Sequence, residues 1–265
     1  MSGLKALIFD VDGTLAETER DGHRIAFNQA FADAGLAWHW DVETYGRLLA
    51  VTGGKERMLH YWQGLDAEAA SDPQAHALVA ELHRLKTTHY VRLVAEGGIQ
   101  LRPGVARLLQ QARETGLRLA IATTTTPDNV EALLHATLGS SGMAMFECIG
   151  AGDAVPRKKP DPGIYAWVLQ RMQLAPSQCL AFEDSTNGWK AADAAGLRTV
   201  VTTGAYTARD MFPGALAQLD GLGDADHPAQ GRVMGQAWSG VVDIPTLREW
   251  ISPGKPSAHD AYLRL

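Results

Sequence analysis

Three features of this 265-residue chain predict an α/β fold, a parallel sheet interrupted after its first strand by a helical segment. Apolar strand-like runs alternate with helical periods from Pro103 to Thr202. A stretch with helical period and no strong strand pattern follows the first apolar run. Several runs end in loops rich in acidic or hydroxyl residues, the place where open α/β sheets gather their chemistry.

Residues 4–9, Leu-Lys-Ala-Leu-Ile-Phe, form an apolar run that reads as a buried strand, with Gly13 allowing the turn beyond it. The period then changes. Phe27, Ala30, Phe31 and Ala34 fall at helical spacing and Gly35 ends the stripe. Further helices are expected around Lys55 to Tyr61 and from Pro73 to about Val94. Residues 17–97 therefore form an inserted helical cap domain, and residues 1–16 with 98–265 a discontinuous core. Gly97-Gly98 closes the insert, Val105, Leu108, Leu109 and Ala112 mark one helix face, and Gly116 stops that helix. Residues 117–122 make a second buried strand. Asp161 is placed to cap a helix with Pro162 at its first position, where the missing amide costs nothing. Ile164, Val168, Leu169 and Met172 face inward on it. A strand at 179–182, a short helix at 187–195 and a strand at 198–202 follow. This alternation implies a Rossmann-like parallel sheet with right-handed crossovers. Past Leu219 the pattern weakens to a short strand at 239–242, a turn or two of helix at 245–251 and a polar tail from Ser252.

Four segments carry chemistry. Asp10-Val11-Asp12-Gly13-Thr14 brings two carboxylates, which repel each other unless a proton or cation intervenes, to the end of the first strand. Thr123 to Thr126 follow the second strand. Lys158-Lys159 precedes Pro160 just before a helix start, and Glu183-Asp184 ends the strand at 179–182. Nucleophile, acid/base, hydroxyl donor, fixed cation and further metal ligands are the parts of a phosphoryl-transfer centre, where positioning and charge neutralisation supply most of the catalysis. In the insert, Gly53-Gly54-Lys55-Glu56-Arg57 suits an anion: glycines admit backbone amides, a helix start adds partial positive charge, and Lys55 and Arg57 supply the rest.

With those residues in place, the chain resembles the haloacid dehalogenase-like (HAD) phosphohydrolase superfamily, whose DxDGT signature matches residues 10–14. Thr123, Lys159 and Glu183-Asp184 match its later motifs, and the resemblance spans roughly residues 4–222. The strings Ala16-Glu17-Thr18-Glu19, His23-Arg24 with Phe27-Asn28, and Gly53 to Arg57 are similar to the CbbY branch, associated with the Calvin cycle. Members of that branch dephosphorylate xylulose-1,5-bisphosphate. The resemblance implies Mg²⁺ held by the Asp10 carboxylate, the Asp12 backbone carbonyl and Asp184, with Glu183 acting directly or through water. It implies Asp10 as nucleophile forming an aspartyl-phosphate and Asp12 as acid/base, protonated when substrate arrives. Thr123, with Thr124 beside it, would hold phosphoryl oxygens, and Lys159 would neutralise charge between Asp10 and phosphate. Glu17 and His23 would meet sugar hydroxyls, Tyr45 would line the pocket, and Gly54, Lys55 and Arg57 would take a second phosphate. Lys158 is the more ordinary surface lysine, and Thr125, Thr126 and Asn129 suit caps and turns. The string Glu19-Arg20-Asp21-Gly22-His23 is one residue longer than in the shortest bacterial relatives, and the segment past Leu222 has no motif counterpart.

A phosphosugar mutase of the β-phosphoglucomutase type would use the same two aspartates and a similar cap. A dehalogenase needs neither proton donor nor metal, and a pure binding protein has no use for a nucleophile facing an acid. The net charge of −6 and pI near 5.8 argue against nucleic-acid or membrane-surface partners and leave a small sugar phosphate as the expected one. Two cysteines, Cys148 and Cys179, sit in apolar runs and are expected as packed thiols. A cytoplasmic monomer is expected, or an organellar stromal one if a transit peptide has been removed.

Overall fold

The computed structural model describes residues 3–252. The elements run β1 (Ala6–Phe9), α1 (Arg24–Asp33), α2 (Val42–Leu48), α3 (Gly54–Leu65), α4 (Ala67–Ala70), α5 (Pro73–Ala95), α6 (Val105–Glu114), β2 (Arg118–Ala122), α7 (Pro127–Leu138) and β3 (Cys148–Gly150). They continue with α8 (Gly163–Met172), β4 (Cys179–Glu183), α9 (Thr186–Ala194), β5 (Arg198–Thr202), β6 (Ala217–Leu219), β7 (Ala229–Val233), β8 (Gln236–Gly240) and α10 (Ile244–Trp250).

The strands form one eight-stranded sheet in the order β3-β2-β1-β4-β5-β6-β7-β8. Neighbours from β3 to β6 are parallel, and β6-β7 and β7-β8 are antiparallel. The chain leaves β1 toward β2 on one side and reaches β4 on the other, so β1 stands at the topological switch point. Phe9 is in register with Ile121 and with Phe182. The loops after β1, β2 and β4 consequently open at the same end of the sheet.

Alternation along β1 fills both layers. Leu7 and Phe9 join Leu119, Ile121, Leu180 and Phe182 beneath α6, α7 and α10, while Ala6 and Ile8 join Ala120, Ala122 and Ala181 beneath α8 and α9. The Phe9 and Phe182 rings stack at 4.5 Å. Helices α1, α2, α3 and α5 carry their own cluster, in which the buried Trp40 ring packs 4.8 Å from Phe27 and 4.9 Å from Phe31. The chain crosses between these two bodies side by side, since Ala16 bridges Leu101 and the Arg102 amide donates to the Leu15 carbonyl at 2.8 Å. A π-helical turn over Glu19–His23 leads into α1.

Several boundaries differ from the sequence expectation. β1 starts at Ala6 rather than Leu4. α8 starts at Gly163, one residue after Pro162, although Asp161 still accepts from the Gly163 amide at 2.9 Å. α9 begins at Thr186, capped by Ser185, whose hydroxyl accepts from the Gly188 amide at 3.2 Å. The strand expected at 239–242 lies at Gln236–Gly240, paired with an unforeseen β7. Those two strands are mostly polar because they extend the sheet past its buried centre, and their two-residue turn is Met234-Gly235, both at positive φ, instead of the more recognisable Asn-Gly. α2 and α4 were also unforeseen; both are short and capped by an aspartate, Asp41 and Asp66. Cys148 and Cys179 are free, with Cys179 buried and Cys148 half-buried. The expected tail beyond Ser252 lies outside the described residues. No helix among the described residues is long and apolar enough to cross a membrane.

Candidate active site

Asp10 stands directly after β1, Glu183 ends β4 and Asp184 follows it. Their carboxylates offer oxygens within 4.8 Å of one another, and all three residues are buried. The Lys159 ammonium lies between two of them, 2.7 Å from Asp10 Oδ1 and 2.7 Å from Glu183 Oε1. The Tyr165 hydroxyl of α8 also donates to Glu183 Oε1, leaving Glu183 Oε2 buried with no partner among the described residues. Two glycines make room. A Cβ on Gly188 would meet Glu183 Oε2 at 1.9 Å, and one on Gly13, where φ is +83°, would meet Asp184 Oδ2 at 2.1 Å.

Ionised together, three carboxylates against one ammonium would leave an excess of two negative charges. Burial pushes Asp10 from 3.8 up to about 8 against the pull of Lys159, with Glu183 and Asp12 adding to the rise. Burial likewise lifts Asp184 well above the usual carboxylate range, reinforced by Asp10 and Glu183. The orphaned Glu183 oxygen, the all-oxygen donor set and the uncompensated charge together fit a hard divalent cation such as Mg²⁺.

Asp12 points elsewhere. Its Oδ1 accepts from the Thr18 hydroxyl at 2.5 Å and contacts His23 Nε2 at 2.8 Å, while His23 Nδ1 lies 2.8 Å from the Lys86 ammonium. With Lys86 charged and donating to Nδ1, His23 carries its proton on Nε2 and donates it to Asp12. Burial raises the Asp12 carboxyl, but His23 and Thr18 outweigh it and the net shift is downward. Lys86 is buried over the Phe27 and Tyr90 rings, and burial brings it down to about 8 although Asp12 and Glu19 favour its charge.

Two cavities meet at this point. One of about 420 Å³ contains Asp10, Thr123, Lys159 and Asp184. The other, about 140 Å³, is lined by Gly53, Gly54, Lys55, His83, Lys86 and Lys158, among others. Asp12, Glu19, Arg57 and Thr124 wall both.

Comparison with known proteins decides the family. The haloacid dehalogenase-like hydrolase model matches residues 4–196. The chain belongs to the haloacid dehalogenase-like hydrolase family. Within it the chain groups with CbbY proteins: it is 50% identical over 249 residues to the plasmid-encoded CbbY of Cupriavidus necator, covering 93% of this chain and 96% of that one. CbbY from Rhodobacter sphaeroides, crystallised with phosphate, matches with TM-score 0.75 and 46% identity, covering 82% of this chain and 94% of that one. Its D10N variant, in complex with xylulose-1,5-bisphosphate, matches with TM-score 0.76 and 44% identity over 84% of this chain and 98% of that one.

For this family member, the structure brings Asp10, Lys159, Glu183 and Asp184 together as the sequence led us to expect, with Thr123 and Thr124 on the same cavity wall. The Asp12 side chain stands outside the carboxylate cluster, consistent with a ligand role limited to its backbone. One expectation, for His23, needs correction. His23 and Thr18 hold the Asp12 carboxyl below the usual carboxylate range, and both His23 nitrogens are already engaged by Asp12 and Lys86, so in this arrangement neither is left for a sugar hydroxyl. Tyr45 lines neither cavity; it is fully buried, and its hydroxyl donates to Glu19 and accepts from Arg57 Nη1 at 3.0 Å. Glu17 lines the larger cavity. Lys55 lines the smaller one and pairs with Asp153 at 3.3 Å, and Lys158 pairs with Asp153 at 2.6 Å. Thr126 caps α7 and Thr125 accepts from Asn129 at 2.9 Å, the cap and turn roles expected of them. Sequence reasoning missed Tyr165, Glu19 and Lys86. Lys86 had a signal: it interrupts the buried stripe Val79, Leu82, Tyr90, Val94 of α5, where a lysine needs a partner.

Proposed function

We propose that the chain is a Mg²⁺-dependent phosphatase acting on a sugar bisphosphate, with xylulose-1,5-bisphosphate the preferred substrate, through an aspartyl-phosphate on Asp10. The observation that carries this is the Asp10–Lys159–Glu183–Asp184 cluster opening into one cavity while a second, cation-lined cavity adjoins it. A molecule with two phosphates needs two such places. The relatives named CbbY, one of them in complex with xylulose-1,5-bisphosphate, support the choice of sugar.

Asp10, Asp184 and Glu183 would hold the cation, whose positive charge, when bound, offsets the repulsion between the Asp10 carboxylate and the phosphate. Lys159 fixes Asp10 Oδ1, so an Asp10 oxygen attacks phosphorus and the bond from phosphorus to the sugar oxygen breaks. The departing oxygen takes a proton from Asp12. Water then attacks the aspartyl-phosphate, gives its proton to Asp12, and frees Asp10 and inorganic phosphate. An ionised Asp12, favoured by the His23 and Thr18 contacts, suits that second step. Donation in the first step requires a proton to reach Asp12 as substrate enters. Residues 17–97 act as a cap that closes on the core and excludes bulk water from the reacting phosphate, and Lys55 with Asp153, and Asn187 with Thr52 at 2.9 Å, already join the two bodies.

A panel of sugar mono- and bisphosphates, assayed for released phosphate and for isomerised sugar, tests the proposal. Phosphate release highest with xylulose-1,5-bisphosphate supports it; isomeric sugar monophosphate formed without phosphate release identifies a mutase instead. Lys55→Ala is expected to raise KM for the bisphosphate roughly tenfold, the scale of one lost charge-assisted contact. An equal rise on a small monophosphate would remove Lys55 from the second phosphate site.

Metal binding should also show in stability. The folded-state pKa of Asp10 is raised to about 8 from 3.8, so its contribution is present below pH 4 and lost as pH climbs through 8 in metal-free protein. Added Mg²⁺ should therefore raise Tm more near pH 8.5 than near pH 6. Equal shifts at the two pH values would contradict the assigned cation site.

A further inference from the structure

Arg102 lies outside the motifs, on the irregular segment by which the helical insert returns to the core, next to the isolated Ala16–Leu101 bridge. Its side chain is only 8% exposed, yet it touches neither the carboxylate cluster's oxygens nor the cation-lined cavity. Instead its guanidinium gathers backbone carbonyls from three loops. Nη1 donates to the Gly13 carbonyl and to Thr202 O at 2.8 Å, Nη2 donates to Thr203 O at 2.7 Å and Asp220 O at 3.1 Å, and Nε lies 3.6 Å from Glu17 Oε1. Its own amide donates to Leu15 O at 2.8 Å.

The Gly13 contact is the consequential one. Gly13 follows Asp12, its amide donates to Ala16 O at 2.8 Å, and its Cα presses against the Asp184 carboxylate so closely that no Cβ fits. Turning that peptide would displace Asp12 on one side and Asp184 on the other. A guanidinium alone among side chains presents five donors in a rigid fork, which is what four carbonyls and a carboxylate around one point require.

We infer that Arg102 is a positioning residue: it locks the Gly13 peptide, and thereby Asp12 and Asp184, to the chain crossing on which the helical segment is carried. The inference rests on the phosphatase reading for its kinetic arm, since the residue meets no substrate itself. Misplacing reactive groups by about 1 Å from a distance costs on the order of 100-fold in rate.

Arg102→Ala and Arg102→Lys test it, with melting temperature confirming the fold of each. The expected result is kcat lower by about 100-fold in Arg102→Ala with KM within about threefold, little recovery in Arg102→Lys, and at least about tenfold recovery of Arg102→Ala by millimolar guanidinium. Calorimetry of the metal-free proteins with Mg²⁺ alone should show weaker binding in both variants. That arm stands even if the wild-type protein releases no phosphate, an outcome that would sink the phosphatase proposal separately. Folded variants with kcat and Mg²⁺ affinity within about twofold of wild type overturn the inference. So does a loss confined to KM, a loss guanidinium leaves unchanged, or failure of both variants to fold, which would make Arg102 a residue of the fold alone.

Discussion

Asp10→Asn is expected to lose phosphate release by about 10⁴-fold or more while keeping the fold. An amide matches the carboxylate in shape, and its oxygen can still accept from Lys159, which holds Asp10 Oδ1 at 2.7 Å. It is not a nucleophile toward phosphorus. Stability should hold or rise in metal-free protein, because burial and the neighbouring Glu183 and Asp12 disfavour the charge that the substitution removes. Steady-state phosphate release with a parallel melting curve measures both. Metal-dependent turnover within about 100-fold of wild type would show that another group attacks.

Lys159→Ala is expected to damage activity and stability together. The ammonium is buried and bonded to Asp10 and Glu183 at 2.7 Å each, so its removal leaves three buried carboxylates facing one another. Breaking a buried ion pair by deleting one partner costs about 3–5 kcal/mol. The loss should be largest in metal-free protein above pH 8 and smaller under acid conditions, where the raised pKa of Asp10 lets it take up a proton. Mg²⁺ should restore part of the Tm. Activity should fall by roughly 10²–10³-fold even at saturating Mg²⁺, the scale of one preorganised electrostatic contact. A variant that melts like wild type in the absence of metal would mean that Lys159 does not balance these charges.

The centre of the site was legible because its parts follow buried strands. β1, β2 and β4 are apolar apart from Arg118 at the start of β2 and Glu183 at the end of β4, and in a parallel sheet each must deliver its C-terminal end to the same edge, so Asp10, Thr123 and Glu183-Asp184 were bound to meet. What surrounds them was harder to read. Tyr165 adjoins the inward-facing Ile164 on α8 and looks like core until its hydroxyl is seen to reach Glu183. The state of Asp12 depends on His23 and Lys86, the latter 63 positions from His23, and spacing along a chain says nothing about such a pair. Tyr45 was misread for a related reason: an aromatic in a helical insert fits a pocket wall and a core equally, and here the Phe27–Trp40 cluster absorbs it. β7 escaped notice, and β8 was placed about two residues too late, because strands at the margin of a sheet need little apolar surface.

On the proposed reading, a divalent cation held by Asp10, Glu183 and Asp184 makes this chain release one phosphate from a sugar bisphosphate. Phosphorus NMR of xylulose-1,5-bisphosphate incubated with the protein, with Mg²⁺ and then with excess chelator, tests it most directly. Inorganic phosphate and one xylulose monophosphate are expected in equal amounts with Mg²⁺, and an unchanged substrate once the metal is removed. Release that continues undiminished in chelator, or a substrate left intact with Mg²⁺ present, would contradict it.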